Sequence, residues 1–192
     1  LLRPSYIMLA LKQALSLVTI KKVGGSWQPS NERGLQAWYK NQTGITLNGS
    51  DVSAWADSSS NSFDMLQATA SEQPAYNSGD IDFDASATQS LQSASDINLS
   101  GAFTVGIKLE PDVSNVAVIG SNTTTNEFFK ITSTTNLRFK TDGSQVDIGI
   151  DSGTLVAALD LVITRNASNL ITLYIDGVAQ ADTETLAGTA DI

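Results

Sequence analysis

The stretch Leu170-Ile171-Thr172-Leu173-Tyr174-Ile175-Asp176-Gly177-Val178-Ala179 decides the fold. Apolar residues alternate with others, Asp-Gly interrupts, and a second apolar pair follows. Asp-Gly is a preferred pair for a two-residue type I′ turn, because both central residues need φ > 0. The stretch therefore reads as a β-hairpin. Just upstream, Leu161-Val162-Ile163-Thr164 supplies another strand. Further back, Leu137, Phe139 and Thr141 run into Asp142-Gly143, a second hairpin turn, and Val146, Ile148 and Ile150 return from it. Phe103, Val105, Ile107 and Leu109 alternate cleanly, and Glu110-Pro111-Asp112 ends that strand because proline cannot donate to a ladder. Short strands at regular spacing with turn signals between them predict an all-β chain, an antiparallel β-sandwich or jelly roll.

The same grammar extends to Gly34. Leu35, Ala37 and Tyr39 share one strand face, with Gln36, Trp38 and Lys40 on the other. Val52 to Trp55, Val116 to Ile119 and Phe128 to Thr132 are further strands. Ile81 and Phe83 alternate with Asp80, Asp82 and Asp84, which predicts a strand with an acidic outer face. Thr154 to Asp160 is the one weak helical candidate beyond residue 30.

Residues 1–30 read differently. Met8, Leu11, Leu15 and Val18 fall at helical spacing, while Leu17-Val18-Thr19-Ile20 reads equally well as an extended arm. Gly24-Gly25 and Pro29 look like a linker. The expectation is an N-terminal anchoring arm over 1–30 and a β-sandwich over 31–192. Met8, Leu11, Leu15, Leu17, Val18, Ile20 and Trp27 are then the candidate partner contacts. Removing residues 1 to 25 is expected to leave the sandwich folded.

Composition excludes much chemistry. The 192 residues include no Cys, so disulfides and thiolate metal sites are absent. There is no His either, which removes His-based acid–base catalysis, Ser-His-Asp triads and His-ligated zinc. The net charge of −9 with only 11 Lys and Arg disfavours nucleic acid and anionic membrane surfaces. No apolar run reaches membrane-spanning length. Charged residues make up 16%, so Ser, Thr, Asn and Gln must supply most of the polar surface.

Calcium is the metal to consider, since it takes carboxylate and amide oxygens. Asp57, Asn61 and Asp64 cluster in one loop and are its candidate ligands. The competing reading is that they form Asx turns and cap loop amides. No other cofactor is expected. Carbohydrate binding would use Trp27, Trp38, Trp55, Tyr39, Tyr76 or Tyr174 as stacking platforms, although most fall at strand positions that fill a core.

Several stretches, in order, resemble the laminin-G-like, concanavalin-A-like jelly-roll superfamily. Gly34-Leu35-Gln36-Ala37-Trp38 is similar to its opening strand. Trp55-Ala56-Asp57-Ser58-Ser59-Ser60-Asn61 is similar to its W-x-D-x-S-G-N loop, with Ser60 where Gly is usual. Gln73-Pro74-Ala75-Tyr76, Ile81-Asp82-Phe83-Asp84 and Leu173-Tyr174-Ile175-Asp176-Gly177 resemble its later steps. The family normally adds strands after that last hairpin, one of them pairing near the first strand. The resemblance therefore leaves an edge open here, to be completed by further sequence or by a neighbouring chain. Glucanases on this fold carry E-x-D-x-x-E on one strand. The nearest match, Glu110-Pro111-Asp112-Val113-Ser114-Asn115, lacks the third acid and is broken by Pro111, so no enzyme is expected.

Versions of this domain behind a short N-terminal leader resemble structural proteins of tailed bacteriophages. Leu9 to Leu17 followed by Gly24-Gly25 carries that likeness. It implies a non-enzymatic virion protein, such as a capsid decoration or cement protein on the particle surface. Its partners would be other capsid or tail proteins, or further copies of itself. The alternatives are a lectin-like module for host-surface polysaccharide and, behind it, a glycoside hydrolase.

Overall fold

The computed structural model describes residues 6–11, 28–112, 114–120 and 129–192. Among them the order is β1 (Tyr6–Leu11), β2 (Leu35–Tyr39), β3 (Ile45–Asn48), β4 (Asp51–Trp55), β5 (Met65–Leu66), β6 (Ala75–Asn77), β7 (Asp80–Asp82), β8 (Gln92–Ser93) and β9 (Asn98–Leu99). Then follow β10 (Phe103–Leu109), β11 (Val116–Ile119), β12 (Phe129–Ser133), β13 (Asn136–Thr141), β14 (Ser144–Gly149), β15 (Leu159–Arg165), β16 (Leu170–Ile175), β17 (Val178–Thr185) and β18 (Ala190–Asp191). Three short 3-10 turns sit between strands, and among the described residues no helix is long and apolar enough to cross a membrane.

The chain is all-β. Its main sheet has the order β17-β16-β15-β10-β1-β2, with every neighbour antiparallel. A second sheet runs β11-β12-β13-β14. The predicted alternation is what buries their facing sides. Phe103, Val105, Ile107 and Leu109 of β10, Leu159, Leu161 and Ile163 of β15, and Ile171 and Leu173 of β16 form one cluster with Phe129, Ile131, Leu137, Phe139 and Ile148. Phe129 and Phe139 are cross-strand partners with stacked rings 5.7 Å apart. Burying one such side chain stabilises by about 1.5–3 kcal/mol. The smaller sheet β7-β6-β4-β5-β8, with β3 paired to β4, adds Val52, Trp55 and Ile81 to the same core.

Both predicted Asp-Gly turns form as read. Asp142 and Gly143 have φ of +43° and +83°, and Asp176 and Gly177 have +49° and +81°. The left-handed pair matches the strand twist, which is why this dipeptide closes a two-residue hairpin.

Residues 6–11 correct the expectation of a separate arm. They form β1, inside the sheet between β2 and β10. Tyr6 lies opposite Lys108, Met8 opposite Gly106 and Trp38, and Leu11 opposite Leu35. Met8 and Leu11 thus belong to the sandwich, as strand residues rather than a helical face, and the boundary drawn at residue 30 cuts through one sheet. The position beside β2, expected to await another segment, is filled by this chain's own strand. Deleting residues 1 to 25 would remove an interior strand, so the truncated chain is now expected to lose its fold. Leu15, Leu17, Val18, Ile20 and Trp27 lie outside the described residues.

Two smaller readings also change. Asp82 is buried rather than on an acidic outer face, while Ile81 is buried as expected. Leu155 to Ala157 are bends between irregular Thr154 and Ala158, and Leu159 already begins β15, so no helix forms there.

Candidate functional site

The richest polar constellation is the loop that follows β4. Asp57 Oδ1 accepts from the backbone N–H of Trp38 at 2.8 Å and of Ser59 at 2.8 Å. Its Oδ2 accepts from Ser59 Oγ at 2.6 Å and from the Phe63 N–H at 3.1 Å. Asp64 Oδ1 accepts from the Asp57 N–H at 2.9 Å. Asn61 Nδ2 donates to the carbonyls of Leu35 at 2.9 Å and Gln36 at 2.7 Å. Ser59 Oγ also lies 3.1 Å from Gln36 O, and the Ser58 N–H donates to Trp38 O. The residues named as calcium ligands therefore do converge, but toward the free edge of β2.

Those contacts assign the loop its work. A sheet edge presents unpaired N–H and C=O groups that invite another strand. Here the side chains of Asp57, Ser59 and Asn61 bind those groups along Leu35 to Trp38. Both carboxylate oxygens of Asp57 are occupied by protein donors, and Asn61 turns its N–H₂ end inward. Among the described residues no group of three or more acidic side chains could hold a metal ion. The Asx-turn and capping reading is the one the geometry carries. Tyr39 closes the loop from below, its hydroxyl donating to Phe63 O. Burial, then the charges of Asp57 and Asp64, push that phenol's pKa well above its ordinary value.

The opposite edge strand is fastened at its bulge. β17 carries two extra residues against β16, since Thr172 pairs with Thr183 but Tyr174 with Ala179. The bulge aims Gln180, Ala181 and Asp182 at the neighbouring sheet. Asp182 Oδ2 accepts from the Gly149 N–H at 2.7 Å, at the end of β14. Asp151 N–H donates to Gln180 Oε1, and Asp151 Oδ2 accepts from the Ala181 N–H. The bulge thereby bridges the two sheets.

The third constellation surrounds Arg165, which the sequence reading missed. Arg165 is wholly buried at the end of β15. Its Nε donates to Gly101 O at 2.7 Å, one terminal nitrogen to Gly188 O at 2.7 Å and Leu186 O at 3.4 Å, and the other to Leu99 O at 3.2 Å. The guanidinium stacks over Phe103 at 4.5 Å from the ring centre. Burial lowers its pKa, and the nearby Asp142 charge partly offsets this. The arginine ties the loop before β10 to the segment after β17. That segment is also held by Thr141, whose hydroxyl donates to Ala187 O, and by Asp142, which accepts from the Thr189 N–H at 2.7 Å. A signal was present. Leu159, Leu161, Ile163 and Arg165 share one phase of the strand, so a charge stood in core register.

Lys140, Thr141, Asp142, Gly143, Thr189 and Asp191 line a small recess with room for about one water molecule. Asp191 has its pKa raised, by burial first and then by the charges of Asp142 and Asp96. Glu110 and Asp112 are exposed just past the end of β10, with buried Pro111 between them. Among the candidate rings, Trp55 is buried, its indole N–H on Lys40 O at 3.0 Å, and Tyr39 packs on it at 5.6 Å. Trp38, Tyr76 and Tyr174 are half-buried, and Lys40 Nζ lies 4.8 Å over the Trp38 ring.

Comparison of the chain with protein-family models, curated proteins and solved structures found no match.

Proposed function

We propose that this chain is a non-enzymatic structural protein of a bacteriophage virion, an accessory protein that decorates or cements the capsid or tail surface. The observation that supports a structural role most directly is the use made of its polar groups. Asp57, Asn61, Asp151, Asp182 and Arg165 are engaged in closing sheet edges and fastening chain segments. A sandwich with capped edges can be displayed in many copies without polymerising through its sheets. The placement on a virion rests on the likeness of the leader and the jelly-roll stretches to tailed-phage proteins.

In this reading the partner contacts come from the connection between β1 and β2. Leu15, Leu17, Val18, Ile20 and Trp27 are large apolar residues within it, each contributing about 1–3 kcal/mol if desolvated on a neighbour. Repeated copies would add avidity. The test is mass spectrometry and antibody labelling of density-banded particles made by the genome that encodes the chain. Stoichiometric peptides and labelled particle surfaces are expected, and absence from banded particles would contradict the proposal.

The half-buried Trp38 ring beneath Lys40 favours one second reading, a polysaccharide-binding module. A glycan array run with and without EDTA separates the two. Saturable sugar binding that is lost in a Trp38→Ala variant would replace the structural reading.

A further inference from the structure

We propose that β1 is an exchangeable strand, so that the slot between β2 and β10 accepts residues 6–11 of a second copy of this chain and builds strand-exchanged oligomers. The register carries the argument. β1 is antiparallel to both neighbours, so β2 and β10 run parallel to each other across the slot. They cannot close into an antiparallel pair without a strand between them. The slot's walls belong to the core, with Ala37, Tyr39, Val105 and Ile107 all buried.

The connection supplies the second part. Leu11 pairs with Leu35, a spacing that a two-residue turn could close in an antiparallel hairpin. The chain instead uses residues 12–34. A segment of that many residues reaches roughly 75 Å at full extension, well beyond the diameter of a small domain. Chain length therefore does not force β1 into its own domain. The strand contacts are the same in either arrangement, so the balance is set by concentration. A linker of this length presents its own strand at an effective concentration on the order of millimolar, and copies crowded to that level compete with it.

The edges direct exchange to this strand. β2 is capped by the loop at Asp57 to Asn61, and β17 is bridged to β14 through Asp151 and Asp182. These contacts obstruct extension of the ladder along β2 and at the bulge of β17, whereas exchange of β1 needs no new contact.

Tyr6 and Lys108 are cross-strand partners, Lys108 is exposed, and the chain has no cysteine. Single variants Tyr6→Cys and Lys108→Cys, the second carrying a mass tag, are unfolded together, refolded and oxidised at about 10 μM and at about 1 mM. Exchange predicts a disulfide heterodimer that exceeds both homodimers and grows with concentration. The double variant Tyr6→Cys/Lys108→Cys should give an intramolecular bond at the low concentration and linked oligomers at the high one. A double variant that closes as monomer at both concentrations, with no heterodimer from the mixed singles, would overturn the proposal. So would a double variant that forms no disulfide, because β1 would then not occupy the slot. Circular dichroism checks that each variant is folded. Should one fail, sedimentation of the unmodified chain refolded at the same two concentrations decides between monomer and persistent dimer. Presence or absence in particles does not bear on this result, so the two proposals fail separately.

Discussion

Replacing Arg165 with methionine isolates the contribution of the buried guanidinium. Methionine keeps an unbranched side chain that can lie over Phe103, but it donates nothing. Four backbone carbonyls lose their partner, of which Gly101 O and Gly188 O, both at 2.7 Å, are the short contacts. A buried acceptor left unpaired costs about 1–3 kcal/mol. The two long contacts, at 3.4 Å and 3.2 Å, add less. Against this, the variant no longer desolvates a charge, which returns part of the loss. Gly101 and Gly188 are exposed residues whose carbonyls water can partly re-pair, while the Leu99 and Leu186 contacts are buried, so the net is a loss of about 2 kcal/mol. For a chain of this size that lowers Tm by about 4–8 °C. Hydrogen exchange adds a local signature: amides of residues 186–192 and 97–99, which pair in the β9–β18 ladder, should lose protection first. Arg165→Lys should fall between, because an ammonium cannot present the planar fork that reaches carbonyls on both segments. An Arg165→Met chain that melts within about 1 °C of the parent, with its last residues still protected, would refute the reasoning.

Three further outcomes follow from the same contacts. Asp57→Ala should destabilise by about 2–3 kcal/mol and make the chain scatter light as its concentration rises, since the amide of Trp38 loses its cap and β2 gains an open edge; a monodisperse variant would show that other residues protect the edge. Gly177→Val should lower Tm by a few degrees through backbone strain alone, because φ is +81° and nothing lies within 4 Å of the added Cβ; an unchanged melting curve would contradict the turn geometry. Asp191 has a raised folded pKa, so the native state holds its proton above the pH at which the unfolded chain releases it. Stability is therefore lost as pH rises from the unfolded pKa through the folded one. Asp191→Asn should raise Tm at neutral pH and lose that advantage below the ordinary carboxylate range; equal urea midpoints at pH 7 would exclude it.

The strands that could be read from sequence are those with one buried and one solvated face. β13, β15 and β16 alternate in burial, β10 alternates in sequence although only Lys108 of it is exposed, and Asp-Gly set two of the turns, so period and turn chemistry agree. β1 was hidden for a physical reason. Tyr6-Ile7-Met8-Leu9-Ala10-Leu11 is an unbroken apolar run, and such a run in the middle of a sheet has no alternation to separate it from a buried helix. Its partners come from residues 35 and 103 onward, and that pairing is invisible to any local pattern. The loop at Asp57 was legible as a cluster but not in its purpose. Its oxygens could serve a cation or backbone amides, and only the position of the β2 edge decides between them. Arg165 was legible in principle, as a charge in core phase, but its acceptors are carbonyls supplied by segments on both sides of it in sequence.

The interior position of β1 bears most weight, since it converts an expected leader into a part of the sandwich. Hydrogen exchange read by mass spectrometry on the full chain tests it directly. Amides of Tyr6–Leu11 should exchange as slowly as those of β10, Phe103–Leu109, whichever copy supplies the strand. Exchange of residues 6–11 within seconds, beside a protected β10, would contradict the account.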